Sequence, residues 1–119
     1  MRPLPPFPLN QPASFRATVH GTVFGDRAAV VDRLCEGEEL LVLPGPPTDD
    51  EPGVWLHRFG GDLVGHLPPE IELWLAPWLL RGGSARARAV HVRGQDAPSW
   101  RRLVIEVDCA CARAGAAGG

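Results

Sequence analysis

The residues most able to do chemistry in this chain are its carboxylates, arginines, histidines and cysteines, and their spacing decides which chemistry is open to them. Asp49, Asp50 and Glu51 stand together at the tip of PGPPTDDEPG, residues 44–53. Three neighbouring acids could take a cation. A calcium loop, however, spaces its ligands along the chain, and a metal-dependent nuclease draws carboxylates from several elements. The expectation is a solvated tip on a stiff loop. Ser14, Ser84 and Ser99 sit in no nucleophile motif, and no H-E-x-x-H or phosphate-cradling glycine loop is present. Catalysis is not expected. Cys35, Cys109 and Cys111 make an odd count, which argues for free thiols. Structural zinc needs four ligands, and His20, His57, His66 and His91 form no i, i+4 pair that could complete a set. No metal or other cofactor is expected. Cys109 and Cys111 read as exposed thiols in a C-terminal tail.

The bases are all arginine, and the net charge of −2 is unevenly placed. Residues 1–75 hold five arginines and eleven acids, giving −6, while residues 76–119 hold seven arginines and three acids, giving +4. Arg81, Arg86, Arg88, Arg93, Arg101 and Arg102 could therefore form a positive face able to meet phosphates. The bland alternative is a solvated surface, and the overall acidity favours it, since dedicated nucleic-acid modules are usually basic. No apolar run approaches the ~20 residues of a membrane helix, and MRPLPPFPLN lacks the pattern of a signal peptide. A cytoplasmic protein without membrane contact is expected.

The elements that must position these groups centre on GGDLVGHLPPEIELWLAPWLLRGG, residues 60–83. Asp62–Leu67 reads as a strand, and Pro68-Pro69 ends it, because neither proline can donate to a ladder. Proline is also well tolerated in the first turn of a helix. Ile71, Trp74, Leu75 and Trp78 fall on one helical face, with Leu73 and Leu79 widening it. The pattern predicts a helix over about 69–81, kinked or ended early at Pro77. Trp74 and Trp78 are expected to plug the core. Before this helix, residues 14–24 alternate, with Phe15, Ala17 and Val19 on the apolar side. RAAVVDRL (27–34) reads as a short helix or an irregular crossover. EELLVL (38–43) and VWLHRF (54–59) are strands, the second with Val54 and Leu56 on one face and Trp55, His57 and Phe59 on the other. Gly60-Gly61 makes a hairpin turn. RARAVHVR (86–93) and RRLVIEVD (101–108) complete the set. In 86–93 neither face is cleanly apolar.

The expected fold is mostly β: a small six-stranded OB-like or SH3-like β-barrel, with one main helix packed over an open end. Residues 1–13 read as a mobile proline-rich leader, 14–108 as one domain and 109–119 as a disordered Ala/Gly tail.

HGTVFGDR, the G-E-x-L run at Gly37–Leu40, the acidic proline loop, V-G-H-L-P-x-E and then L-A-P-W-L-L together resemble the HIRAN domain over about residues 14–108. The last two motifs are the most specific. The resemblance implies an OB-type barrel that holds single-stranded DNA, at its 3′-hydroxyl end, in DNA repair or processing. It implies that Arg27 lies beside the DNA backbone and that His66 borders the same groove. Asp50 and Glu51 fall where the family carries a stacking aromatic and an aspartate for the terminal hydroxyl, and Ala28 and Ala29 fall where DNA-binding members carry aromatics. Base stacking contributes about 1–3 kcal/mol per base, so losing two platforms would weaken binding by ~10²-fold. Phe24, Trp55 or Trp100 could substitute, although residue type assigns each to the core. The nucleic-acid-binding set implied is Phe24, Arg27, Asp50, Glu51, His66 and Arg101. The alternative is a barrel that has lost the DNA pocket and serves a protein partner.

Overall fold

Period-two alternation decides which side of each strand meets the core, and the sheet then curls around that side. The computed structural model describes residues 6–8, 10–22, 25–45, 53–94 and 96–110. Its elements are β1 (Ser14–Thr18), α1 (Arg27–Asp32), β2 (Glu39–Pro44), β3 (Val54–Arg58), β4 (Leu63–His66), α2 (Pro69–Leu80), β5 (Ser84–Val92) and β6 (Leu103–Ala110). The strands form one antiparallel sheet in the order β1-β6-β5-β2-β3-β4. Its two edges meet where His20, just beyond β1, exchanges both backbone hydrogen bonds with His66 at the end of β4, at 2.8 and 3.0 Å. The mostly β, six-stranded barrel with one main helix is therefore the observed architecture, joined at its seam by that bridge.

Gly65 permits the seam. A Cβ there would lie 2.5 Å from the His20 carbonyl oxygen and 2.6 Å from Val19 Cγ1. Any side chain would push the two edges apart, so the glycine of V-G-H-L-P is a close-approach residue. Gly60 and Gly61, at φ of +112° and +107°, turn β3 into β4 as expected.

Both helices are set by what they bury. α2 begins at Pro69 behind Pro68 and runs to Leu80. It packs against β2 and β3 and buries Leu75, Ala76, Trp78 and Leu79. Pro77 does not end it early: the helix continues through the proline to Leu80. Pro77 sits on the exposed side, so its ring avoids the core. Leu73 does not widen the buried face either. It is 72% exposed, and Leu80, nearly a full turn beyond Pro77, is 65% exposed. Trp78 is fully buried, and Gly83 leaves room for its indole. Trp74 stays half-buried against Phe15, their rings 5.7 Å apart. The stretch at 27–34 is a true helix, α1, which packs Val30 and Val31 inward and lies against β4.

Three boundaries differ from the expectation, each for a physical reason. Phe7, in the proline-rich leader, stands edge-on to both Trp74 and Trp78, at 5.8 and 5.1 Å, because the tryptophans offer ring faces that an aromatic edge can meet. Cys109 continues the inward series Leu103, Ile105, Val107 and is 6% exposed, and its N–H donates to the Ala13 carbonyl. It belongs to β6, not to an exposed tail. Finally, β5 shifts register between Ala89 and His91. That bulge turns His91 outward and lets Val92 pack on the core, which explains why neither face of 86–93 reads as cleanly apolar.

Candidate functional site

Directly opposed residues in an antiparallel sheet project to the same side. His20 pairs with His66, His66 with Trp55 and Trp55 with Leu43. Their neighbours Val19, Leu67, Val54, Leu56 and Val42 point inward and are buried. The row His20–His66–Trp55–Leu43 therefore runs across four strands on the outside of the barrel. The two imidazole centroids are 6.0 Å apart, and the Trp55 ring meets His66 at 5.2 Å. Leu43 is 44% exposed at the far end.

Arg27 enters this row from the first turn of α1. Its guanidinium lies over the Trp55 ring, 5.3 Å from the centroid, in a cation–π arrangement. Its Nη1 donates to the Gly21 carbonyl at 3.0 Å. Gly21 has φ +73°, and a Cβ on it would lie 2.9 Å from His66 Cδ2, 3.0 Å from His66 Nε2 and 3.2 Å from Arg27 Nη1. Guanidinium and imidazole thus converge over a backbone position that only glycine fills without strain.

The state of His66 follows from its neighbours. A carbonyl can only accept, so the 2.9 Å contact between Nδ1 and the Leu67 oxygen puts the hydrogen on Nδ1. Glu72 lies 3.8 Å behind the same nitrogen, while its Oε2 accepts from the Val54 N–H at 2.9 Å. Glu72 is thus tied to the start of β3, and it holds the first turn of α2 against the row. Among the described residues Nε2 of His66 has no hydrogen-bond partner, and it faces Gly21 and Arg27. Beside this patch, a cleft of about 360 Å³ opens between α1 and the β3–β4 hairpin, lined by Asp26, Arg27, Val30, Asp62 and Leu63 among others.

The arginine-rich face has a different character. Arg86 and Arg88 stand on β5 opposite Asp108 and Glu106 of β6. Arg88 is bonded to Glu106 at 2.8 Å, and Arg16 of β1 reaches the same carboxylate at 3.6 Å. Alternating signs across β1, β6 and β5 make a solvated, self-compensated surface. Arg102 donates to the Ala97 carbonyl. Elsewhere, the Arg58 guanidinium bonds Glu38 at 2.8 Å and holds that carboxyl below the usual carboxylate range. Partial burial opposes the shift, and the Cys35 N–H adds to it.

Of the residues read from sequence, Arg27 and His66 are brought together. Arg101 lies apart, in the 3-10 turn Ser99–Arg101 between β5 and β6, with its guanidinium 4.8 Å from the Trp100 ring centroid. Phe24, Asp50 and Glu51 lie outside the described residues. Trp55 and Trp100 are not core: Trp55 is half-buried on the outer row, and Trp100 is 55% exposed. His20 was not singled out by sequence. Its signal was its place two residues beyond Thr18 and just before a glycine. Among the described residues no group of three His, Cys, Asp or Glu could hold a metal ion, and no helix is long and apolar enough to cross a membrane.

No family model matches the chain, and no curated protein matches it. Among solved structures, the crystal structure of a structural-genomics target protein from Lactobacillus plantarum is similar. It has a TM-score of 0.64 at 14% identity, over 80% of this chain and 91% of that one. At that identity the likeness concerns the fold alone.

Proposed function

We propose that this chain is a nucleic-acid-binding barrel of HIRAN type that takes single-stranded DNA, or its 3′ end, at the β1–β4 seam. The observation that carries the reading is the convergence of Arg27, His66 and Trp55 on one outer row. Single-strand binders combine a cation that follows the backbone with an aromatic that stacks a base. Here Arg27 supplies the first and Trp55 the second, in place of the tyrosine this chain lacks. Arginine planes stack bases as well, so the guanidinium over Trp55 extends the platform. The sequence resemblance, which independently points to Arg27 and His66, supports the same reading. The chain acts by binding and not by catalysis, and a cytoplasmic location with a role in DNA repair or processing belongs to this proposal.

A second reading, a barrel serving a protein partner, is favoured by one observation. Leu73, Pro77 and Leu80 leave an exposed apolar stripe on α2, while Arg16 and Arg88 are engaged with Glu106. Fluorescence anisotropy with a 5′-labelled oligonucleotide, bearing either a free or a blocked 3′ end, separates the two. The nucleic-acid reading predicts binding at about 50 mM salt that weakens steeply towards 200 mM. Absence of binding at the lower salt would leave the protein-partner reading in its place.

A further inference from the structure

Helix α2 has two sides of different character. Its inner side buries Leu75, Ala76, Trp78 and Leu79 against the barrel. Its outer side carries Glu70, Leu73, Pro77 and Leu80, with Arg81 as the C-cap, and all five are exposed. At 3.6 residues per turn they fall within an arc of about 100°. Phe7 covers Trp74 and Trp78 beside this arc but leaves Leu73 and Leu80 open. The leucines and the proline thus form a continuous apolar strip along one helix, which scattered surface leucines do not.

The charges at the ends of the strip say what fits it. A carboxylate stands at the first turn and a guanidinium just past the last. Among the described residues neither makes an ion pair. Such a strip is complementary to itself when two copies lie antiparallel. A two-fold axis near Pro77 sets Leu73 of one copy towards Leu80 of the other, and each Glu70 towards Arg81 of the other. Every contact is then made twice, as a two-fold interface requires. The short ring of Pro77 at the axis allows the close helix approach that packing needs.

We propose that the outer face of α2 is a homodimer interface, closed by antiparallel packing of α2 on α2 from a second copy of this chain. The helix has 12 residues, so the strip is about 18 Å long and offers less than the ~800 Å² per partner of a standard interface. The dimer is accordingly weak, with a dissociation constant on the order of 100 μM. This inference does not rest on the nucleic-acid reading.

The test is sedimentation equilibrium of the full chain, without oligonucleotide, from about 10 μM to about 1 mM, a range that brackets the expected constant. The weight-average mass should climb from that of one chain towards two. Glu70→Arg and Arg81→Glu, each alone, set like charges against each other at both ends and should weaken association about tenfold. An equimolar mixture of the two variants restores opposite charges at both ends and should recover it. A variant that failed to fold would not be recovered by mixing. A chain that stays monomeric up to the highest concentration overturns the proposal and leaves the nucleic-acid reading standing. Association that neither charge reversal weakens, or that mixing does not recover, overturns it too, because the contact then lies on another face.

Discussion

Two surfaces of this barrel carry arginine, and they differ in what faces the charge. On the β5–β6 face, Arg86 and Arg88 stand across from Asp108 and Glu106, and Arg16 joins from β1. At the seam, Arg27 lies over an indole and converges with the His66 imidazole above Gly21, and Glu72 is turned to a backbone N–H. The C-terminal third of the sequence has the larger positive balance, yet the strand register spends part of it on neighbouring carboxylates. The N-terminal part is acidic overall, yet it folds one arginine onto an aromatic ring beside His66. A cation's value to an anionic ligand depends on what the fold places within about one Debye length, ~10 Å at moderate salt, and not on the sum over a stretch of sequence.

The comparison can be broken most violently at Gly65. Gly65→Val should force the His20 backbone away from β4 and cost about 3 kcal/mol or more of stability, read by chemical denaturation. A valine at an exposed outer position of β5, Ser84, should cost far less. A loss at Gly65 under about 1 kcal/mol would mean that the seam tolerates a side chain and is not the tight closure described. Next in size is Arg27→Gln, expected to weaken oligonucleotide binding by about tenfold, or 1.4 kcal/mol, with unfolding unchanged within about 0.5 kcal/mol. A smaller effect belongs to Phe7→Ala. Removing its edge contacts with Trp74 and Trp78 should cost about 1 kcal/mol and alter the tryptophan emission. Unchanged emission would show that the leader does not dock there in solution.

A pH series sharpens the role of paired charge. Glu38 is depressed below its ordinary value by Arg58. Its contribution is therefore fully present above the unfolded glutamate value of about 4.3 and is lost as pH falls through the lower folded value. Denaturation midpoints should fall on acidification through that window, and Glu38→Gln should flatten the fall. An equal slope in the variant would assign the acid sensitivity to other carboxylates. The smallest effect expected is from Arg88→Gln. An exposed pair with Glu106 contributes about 0.2–1 kcal/mol at most, and the change should leave oligonucleotide affinity within about twofold.

Much of the architecture was legible because it is local. Gly60-Gly61 marks the hairpin, the prolines at 68–69 mark the start of α2, and Leu103, Ile105 and Val107 alternate cleanly into the core. The seam was not legible. His20 and His66 pair across a large separation in the chain, and no local pattern announces such a bridge. The β5 bulge was hidden for a similar reason: one extra residue inverts the alternation after Ala89, so a sequence reading sees a mixed face. Trp55 shows a different failure. Alternation already set it opposite Val54 and Leu56, on the side of His57, but its size argued for burial, and periodicity proved the better guide. Arg27 and His66 were reached through motif resemblance. Their convergence over Gly21, and the place of His20 beside His66, needed coordinates.

The central claim is that anion recognition belongs to the seam and not to the arginine-rich face. The most direct measurement is the salt dependence of oligonucleotide affinity for three proteins: the unaltered chain, Arg27→Gln and the double variant Arg86→Gln/Arg88→Gln. The account predicts that Arg27→Gln lowers affinity about tenfold and flattens the log–log salt slope by about 0.7, the loss of one single-strand phosphate contact, while the double variant follows the unaltered chain. A double variant that loses binding and slope, beside an Arg27→Gln protein that keeps both, would contradict it.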